Sequence, residues 1–164
     1  MFYEPAKGDH GLSKNPFNSL IIPRPIGWIS SLDTDGNVNL APYSFFNAVA
    51  YRPPTLMFSV GAGAVSEDKL KDTRRNVEET GEFVHNVVTW DNREAMNATS
   101  ESFPAGVDEL QRAGLTALPS QLVKPPRVAE SPVQLECKYL GSYEVPHKET
   151  ENKYVVIFGE VVGE

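Results

Sequence analysis

The run Asn39-Leu40-Ala41-Pro42-Tyr43-Ser44-Phe45-Phe46-Asn47 interleaves amides and hydroxyls with aromatic rings. A plain core strand would not carry this pattern, because each polar group buried without a partner costs roughly 1–3 kcal/mol. A flat heteroaromatic ligand satisfies both halves: rings and backbone flank its plane, while Asn39, Ser44 and Asn47 bond heteroatoms at its edge. The alternative is an edge strand with one wet face. A second candidate is Lys71-Asp72-Thr73-Arg74-Arg75 at the expected start of a helix. Free N–H groups and the positive end of the helix dipole favour an anion there, and Lys71 and Thr73 add a charge and a hydroxyl donor. The alternative is a solvated helix start with ordinary surface charges. Together the two features, separated by one buried strand, can hold the two ends of a mononucleotide cofactor.

Other chemistries find no support. The sequence contains no G-x-G-x-x-G after a strand, no P-loop, no H-E-x-x-H and no G-x-S-x-G. His10, His85 and His147 stand singly, and His85 lies in an apolar run that predicts a core role. One cysteine, Cys137, excludes an internal disulfide and any Cys-clustered zinc site. Asp33-Thr34-Asp35-Gly36 does not have EF-hand spacing, because its glycine falls at the fourth position and no Glu follows at the twelfth. It reads instead as a hairpin turn. Asn97-Ala98-Thr99 matches a glycosylation sequon, read as accidental without a signal peptide.

The elements that must position these residues follow from composition and periodicity. A chain of 164 residues with 40% hydrophobic content is long enough for one domain with its own core. A net charge of -7 makes DNA or an acidic membrane a poor partner for the surface as a whole, so an anion needs a local pocket. No apolar run reaches the roughly 20 residues of a membrane helix, and residues 1–10 lack signal-peptide character, so the expected compartment is the cytoplasm. Thirteen prolines, several in the pairs 23/25, 53/54 and 125/126, predict strand ends, sheet edges and connections. Strands are expected over 26–32, 37–42, 56–61, 82–88, 131–140 and 154–162. Helices are expected from Asp72, as N-cap, to Gly81, and over 91–99, capped by Asp91, and 107–114. A Gly-Ala loop is expected over 61–64. The fold class is therefore mainly β with short helices, a small closed or split barrel with helices over its openings.

The series Pro23-Arg24-Pro25-Ile26-Gly27-Trp28-Ile29-Ser30-Ser31-Leu32-Asp33-Thr34-Asp35-Gly36, the 39–47 strip, Arg52-Pro53-Pro54 with Met57-Phe58-Ser59, and Lys71-Asp72-Thr73 with Asn76 and Glu82-Phe83-Val84 resembles the flavin reductase-like family of FMN-binding split-barrel proteins. The resemblance is densest over 23–88. It implies an FMN-binding split β-barrel of Greek-key type, a homodimer with flavin near the interface, and hydride transfer from NADH or NADPH to FMN, with reduced flavin passed to a partner monooxygenase. It also implies that Ser30, Ser31, Asn39, Ala41, Pro42, Tyr43, Ser44, Phe45 and Asn47 wall the isoalloxazine and ribityl chain. Ser59 and Gly61 would lie along the ribityl or phosphate, and Lys71, Asp72 and Thr73 near the phosphate. Trp28 is implied either at the barrel lip or against the flavin. No side-chain nucleophile, metal or catalytic residue in the strict sense is implied, because the hydride chemistry belongs to the cofactor.

Family members usually run on past the segment that here ends at Val162-Gly163-Glu164, often with a histidine soon after. The expectation is a shortened chain, or one whose C-terminal part lies outside this sequence, with hydride transfer more affected than FMN binding. Two other readings stay open. One is an FMN-binding electron carrier without a nicotinamide site; the other is a split barrel that holds another phosphorylated aromatic such as pyridoxal phosphate.

Overall fold

The computed structural model describes residues 2–61, 70–101, 103, 107–146 and 154–164. Strand β1 (Gly27–Leu32) is the hub of the first half of the chain. It pairs antiparallel with β2 (Val38–Tyr43), where Ser31 lies opposite Asn39, and with β5 (Glu82–Val87), where Ile29 lies opposite His85. β5 continues to β8 (Gln134–Glu144), then β9 (Val155–Gly163), β4 (Pro54–Val60) and β3 (Phe46–Tyr51). The order β2-β1-β5-β8-β9-β4-β3 puts β2 and β3 at opposite edges of one seven-stranded antiparallel sheet. These two strands are nevertheless consecutive, joined only by Ser44 and Phe45. The sheet must therefore curl until its edges approach, which brings Tyr43 on β2 against Phe58 on β4, while the Ser59 N–H to Phe45 carbonyl bond at 2.8 Å extends the β3–β4 ladder into the link. Residues alternate between faces along each strand, so curling encloses one of them.

The enclosed face carries Ile29, Tyr43, Phe46, Leu56, Phe58, Val60, Phe83, Cys137 and Ile157. Phe58 is fully buried, with ring centroids 5.2 Å from Tyr43 and 5.3 Å from Phe83. Burial of a side chain this size is worth roughly 1.5–3 kcal/mol. Helix α2 (Asp72–Thr80) covers part of this core with Val77 and ends on Gly81, whose φ of 75° permits the left-handed cap. The N-cap is Lys71 rather than Asp72, which occupies the first helical position and forms an ion pair with Arg75 at 2.9 Å.

A second, smaller core lies on the other face of β1 and β2, where Trp28 and Leu40 pack with Leu110 and Val128. It is built from α4 (Glu109–Arg112), the short ribbon of β6 (Ala117–Leu118) with β7 (Arg127–Val128), and neighbours of α3 (Arg93–Ala98). Both short helices are briefer than expected. α3 is preceded by Asn92 instead of Asp91, and α4 is capped by Asp108, which accepts from the Gln111 N–H. The N-terminal segment contributes a single 3-10 turn at Pro5–Lys7 and α1 (Phe17–Leu20).

The prolines sit where a missing donor is tolerated. Pro42 lies on edge strand β2, Pro54 opens β4, and 125/126 end the connection before β7. The 33–36 turn is held by Asp33, whose carboxylate accepts from the Asp35 and Asn37 N–H groups and from the Asn37 amide. Of the proposed Gly-Ala loop only Gly61 is described; 62–64 and His147 lie outside the described residues.

Candidate functional site

The 39–47 strip is not one strand. It runs off edge strand β2, through the two-residue link, and onto edge strand β3. Alternation on β2 places Asn39, Ala41 and Tyr43 on the face towards α2 and the barrel core, and Leu40 and Pro42 on the other. The same alternation on β1 sends Ser31 with Ile29 to the first face and Ser30 with Trp28 to the second. Residues that are adjacent in sequence are thus separated by the sheet.

On the α2 side the polar groups form a closed set. The Asn39 amide donates to Thr73 Oγ1 at 2.7 Å and to Ser31 Oγ at 3.4 Å, and the Asn76 amide donates to Ser31 Oγ at 3.2 Å. All four residues are buried. Tyr43 is next along the strand face. It is 6% exposed, and its hydroxyl makes no hydrogen bond among the described residues. Burial pushes its phenol well above the ordinary value; Thr73 beside it acts in the opposite sense, and the charges of Glu109 and Asp72 push the same way as burial. Lys71 is exposed and carries its ammonium 5.9 Å from the Tyr43 ring centroid. It makes no ion pair among the described residues. Arg74 and Arg75, by contrast, are paired with Glu78 and Asp72. The expected positive cluster therefore reduces to Lys71 and the uncapped start of α2, where Asp72 and Thr73 present N–H groups with no acceptor among the described residues.

The second group surrounds the link. Phe45 lies under the Arg24 guanidinium at 5.7 Å, and Arg24 itself holds the carbonyls of Asn18 and Ile21. Asn47 is exposed at the start of β3, opposite Met57, and its Oδ1 accepts the Ala48 N–H at 2.9 Å. Ser59 is half-buried on β4, on the strand face shared with Met57. Gly61 follows, and a Cβ there would stand 3.2 Å from the Tyr154 ring.

Three candidates fall away from both groups. Trp28 is fully buried in the second core, and its indole N–H donates to Thr99 Oγ1 at 3.0 Å. Ser30 donates to the Pro126 carbonyl and accepts from the Asn86 amide at 3.2 Å, so its hydroxyl is used internally. Pro42 points the same way. Two residues not assigned a role from the sequence join the site. Asn76 shares the Ser31 hydroxyl, and Glu109, buried on α4, accepts the Leu40 N–H at 3.1 Å. Burial holds the Glu109 carboxyl above the usual range, partly offset by that N–H. Nothing in the local sequence marks Glu109, because Asp108-Glu109 reads only as a helix start.

His85 occupies the barrel core, its ring 4.4 Å from Phe46, and burial pulls its imidazole down to about 4. Cys137 is also buried, its thiol pushed up to about 12 by burial. Neither side chain is presented as a reacting group. No described helix is long and apolar enough to cross a membrane.

The sequence matches the family described as "Flavin reductase like domain" over residues 19–163. An uncharacterized protein of Aquifex aeolicus is 44% identical over 146 residues, covering 87% of this chain and 69% of its own length. Other uncharacterized relatives are spanned less fully, down to 56% for YwrF of Bacillus subtilis. Nitrilotriacetate monooxygenase component B from Bacillus cereus superposes with a TM-score of 0.86 at 31% identity, covering 99% of this chain and 79% of that one. A split barrel domain from Shewanella frigidimarina superposes with a TM-score of 0.72 over 85% of this chain and 65% of that one, and at 22% identity it bears on fold alone.

Proposed function

Because the chain belongs to the family of flavin reductase like domains, we propose that it binds FMN between the start of α2 and the β2–β3 link and reduces it with NADH or NADPH. The observation that carries this reading is the arrangement around α2. A helix start whose N–H groups have no acceptor, and the cation Lys71 without an ion pair among the described residues, stand over a buried set of Ser31, Asn39, Thr73 and Asn76. These donors suit a phosphate. Phe45, Asn47 and Ser59 at the link supply a ring, an amide and a hydroxyl for the other end of the cofactor. The residues present therefore fit the group.

When bound, the flavin supplies the two-electron hydride chemistry itself. The chain's part is to hold it. Lys71 and the N–H groups of Asp72 and Thr73 fix the phosphate, Asn39 orients Thr73, and Asn47 Nδ2, without an acceptor among the described residues, bonds a ring edge. Gly61 leaves room for Tyr154 beside Ser59. We further propose a homodimer. Support comes from uncovered apolar surface on edge strand β3, where Tyr51 is 82% exposed, and from exposed Leu140 and Tyr143 on β8. Supply of reduced flavin to a monooxygenase is supported by the similarity to a monooxygenase component B.

An absorption spectrum of the purified protein with FMN, before and after NADH or NADPH, tests cofactor and reaction together. Loss of the flavin band on adding nucleotide is expected. No binding at micromolar protein would remove the proposal, whereas bound FMN that excess NADH and NADPH leave oxidised would make the protein a flavin carrier.

A further inference from the structure

Among the described residues Tyr43 holds the only buried hydroxyl that lacks a hydrogen-bond partner. Its neighbours do not supply one: Thr73 Oγ1 lies near enough to favour the ionised phenol slightly but is engaged by the Asn39 amide and makes no hydrogen bond to the Tyr43 hydroxyl, the Glu109 carboxylate accepts the Leu40 N–H, and Asp72 is paired with Arg75. A buried hydroxyl in this state carries a desolvation cost that an external acceptor would remove. The phenol stays protonated throughout the working pH range, because burial pushes its titration far upward, so it is a permanent donor.

The location of this donor distinguishes the two ends of the site. Tyr43 reaches the first turn of α2, beside Thr73 and under the Lys71 ammonium, on the opposite side of the link from Asn47 and Ser59. The family resemblance implied a wall around the isoalloxazine and ribityl chain for this residue. We infer that the Tyr43 hydroxyl instead donates to the anion held by Lys71 and the start of α2, and that it is a specificity-determining residue for a terminal phosphomonoester. The inference rests on the flavin reading above and assigns one residue within it. Three kinds of donor then converge on the phosphate: a phenol, an ammonium and backbone N–H groups. Riboflavin, which lacks the phosphate, offers none of them an acceptor.

The test is Tyr43→Phe, which removes one oxygen and keeps the ring against Phe58. Fluorescence titrations with FMN and riboflavin are compared for both proteins, with inorganic phosphate as competitor of FMN. The FMN dissociation constant should rise about tenfold, as for one hydrogen bond to a charged group, while that of riboflavin changes less than twofold. The inhibition constant of phosphate taken from the competition curves should rise as well. Equal losses for FMN and riboflavin, or no loss for either, overturn the inference and leave flavin binding standing. If the wild-type protein binds no flavin, both fall. Thermal unfolding without ligand gives an independent check. Tyr43→Phe should melt at the same temperature as the wild type or higher, since an unpaired buried hydroxyl is removed. A clearly lower midpoint would mean that the hydroxyl bonds within the protein, and the inference would fail.

Discussion

A Cβ on Gly27 would fall 2.7 Å from Cγ of Phe46, although Gly27 lies on β1 and Phe46 on β3, the far edge of the sheet. Only curling of the sheet brings the two together, and only glycine permits the approach. Gly27→Ala is expected to destabilise the protein by about 1–3 kcal/mol through overpacking. The ring cannot simply retreat, because it also stacks on His85 at 4.4 Å. The measurement is the urea midpoint, and Gly27→Ala combined with Phe46→Leu should recover part of the loss. An unchanged midpoint in the single variant would show that the seam is looser than described.

Stability should depend on pH through His85. Its imidazole titrates at about 4 in the folded chain against an ordinary 6.5, because burial disfavours the charged form. The unfolded chain therefore binds the proton first as pH falls. The folded state keeps its full advantage above pH 6.5 and loses it between 6.5 and about 4, by roughly 3 kcal/mol at about 1.4 kcal/mol per pKa unit. His85→Gln should flatten this segment of a plot of urea midpoint against pH. Parallel curves for the two proteins would assign the dependence to other groups.

Much of this was legible in the sequence, but unevenly. Proline placement, the 33–36 turn and the Gly81 cap are local features set by backbone chemistry, and the barrel class followed from counting strands between them. His85 was readable as core because its neighbours are apolar. The split of the 39–47 strip between two sheet edges was not readable, since it depends on which distant strands pair. Ser30 and Ser31 illustrate the same limit. Their opposite fates follow from alternation, yet only Asn86 and Pro126 on one side, and Asn39 and Asn76 on the other, decide which serine is available. Arg74 and Arg75 read as part of a positive patch at the helix start, but their partners Glu78 and Asp72, four and three residues away on the helix, take up both charges.

Lys71 is the cation those pairs leave over, and reversing its charge should act on the phosphate alone. Lys71→Glu is expected to weaken FMN about tenfold or more and riboflavin little, from loss of one charge-assisted contact at a helix start. Raising salt should shrink the difference, because the side chain is exposed. Equal losses for both ligands would place the residue outside the phosphate site.

Asn47 should give the opposite pattern. It stands across the link from α2, and the Ala48 N–H bonded to its Oδ1 holds the amide in place, leaving Nδ2 as the donor for a ligand. A ring-edge bond made by a neutral amide contributes about two- to tenfold in affinity. Asn47→Leu should therefore weaken FMN and riboflavin by the same factor and shift the absorption maximum of the bound flavin, since the bond acts on the chromophore both ligands share. Stability should change little, because the residue is exposed on an edge strand. A loss confined to FMN would move Asn47 to the phosphate end. Unchanged affinity and spectrum would leave its amide as a cap for the Ala48 N–H and nothing more.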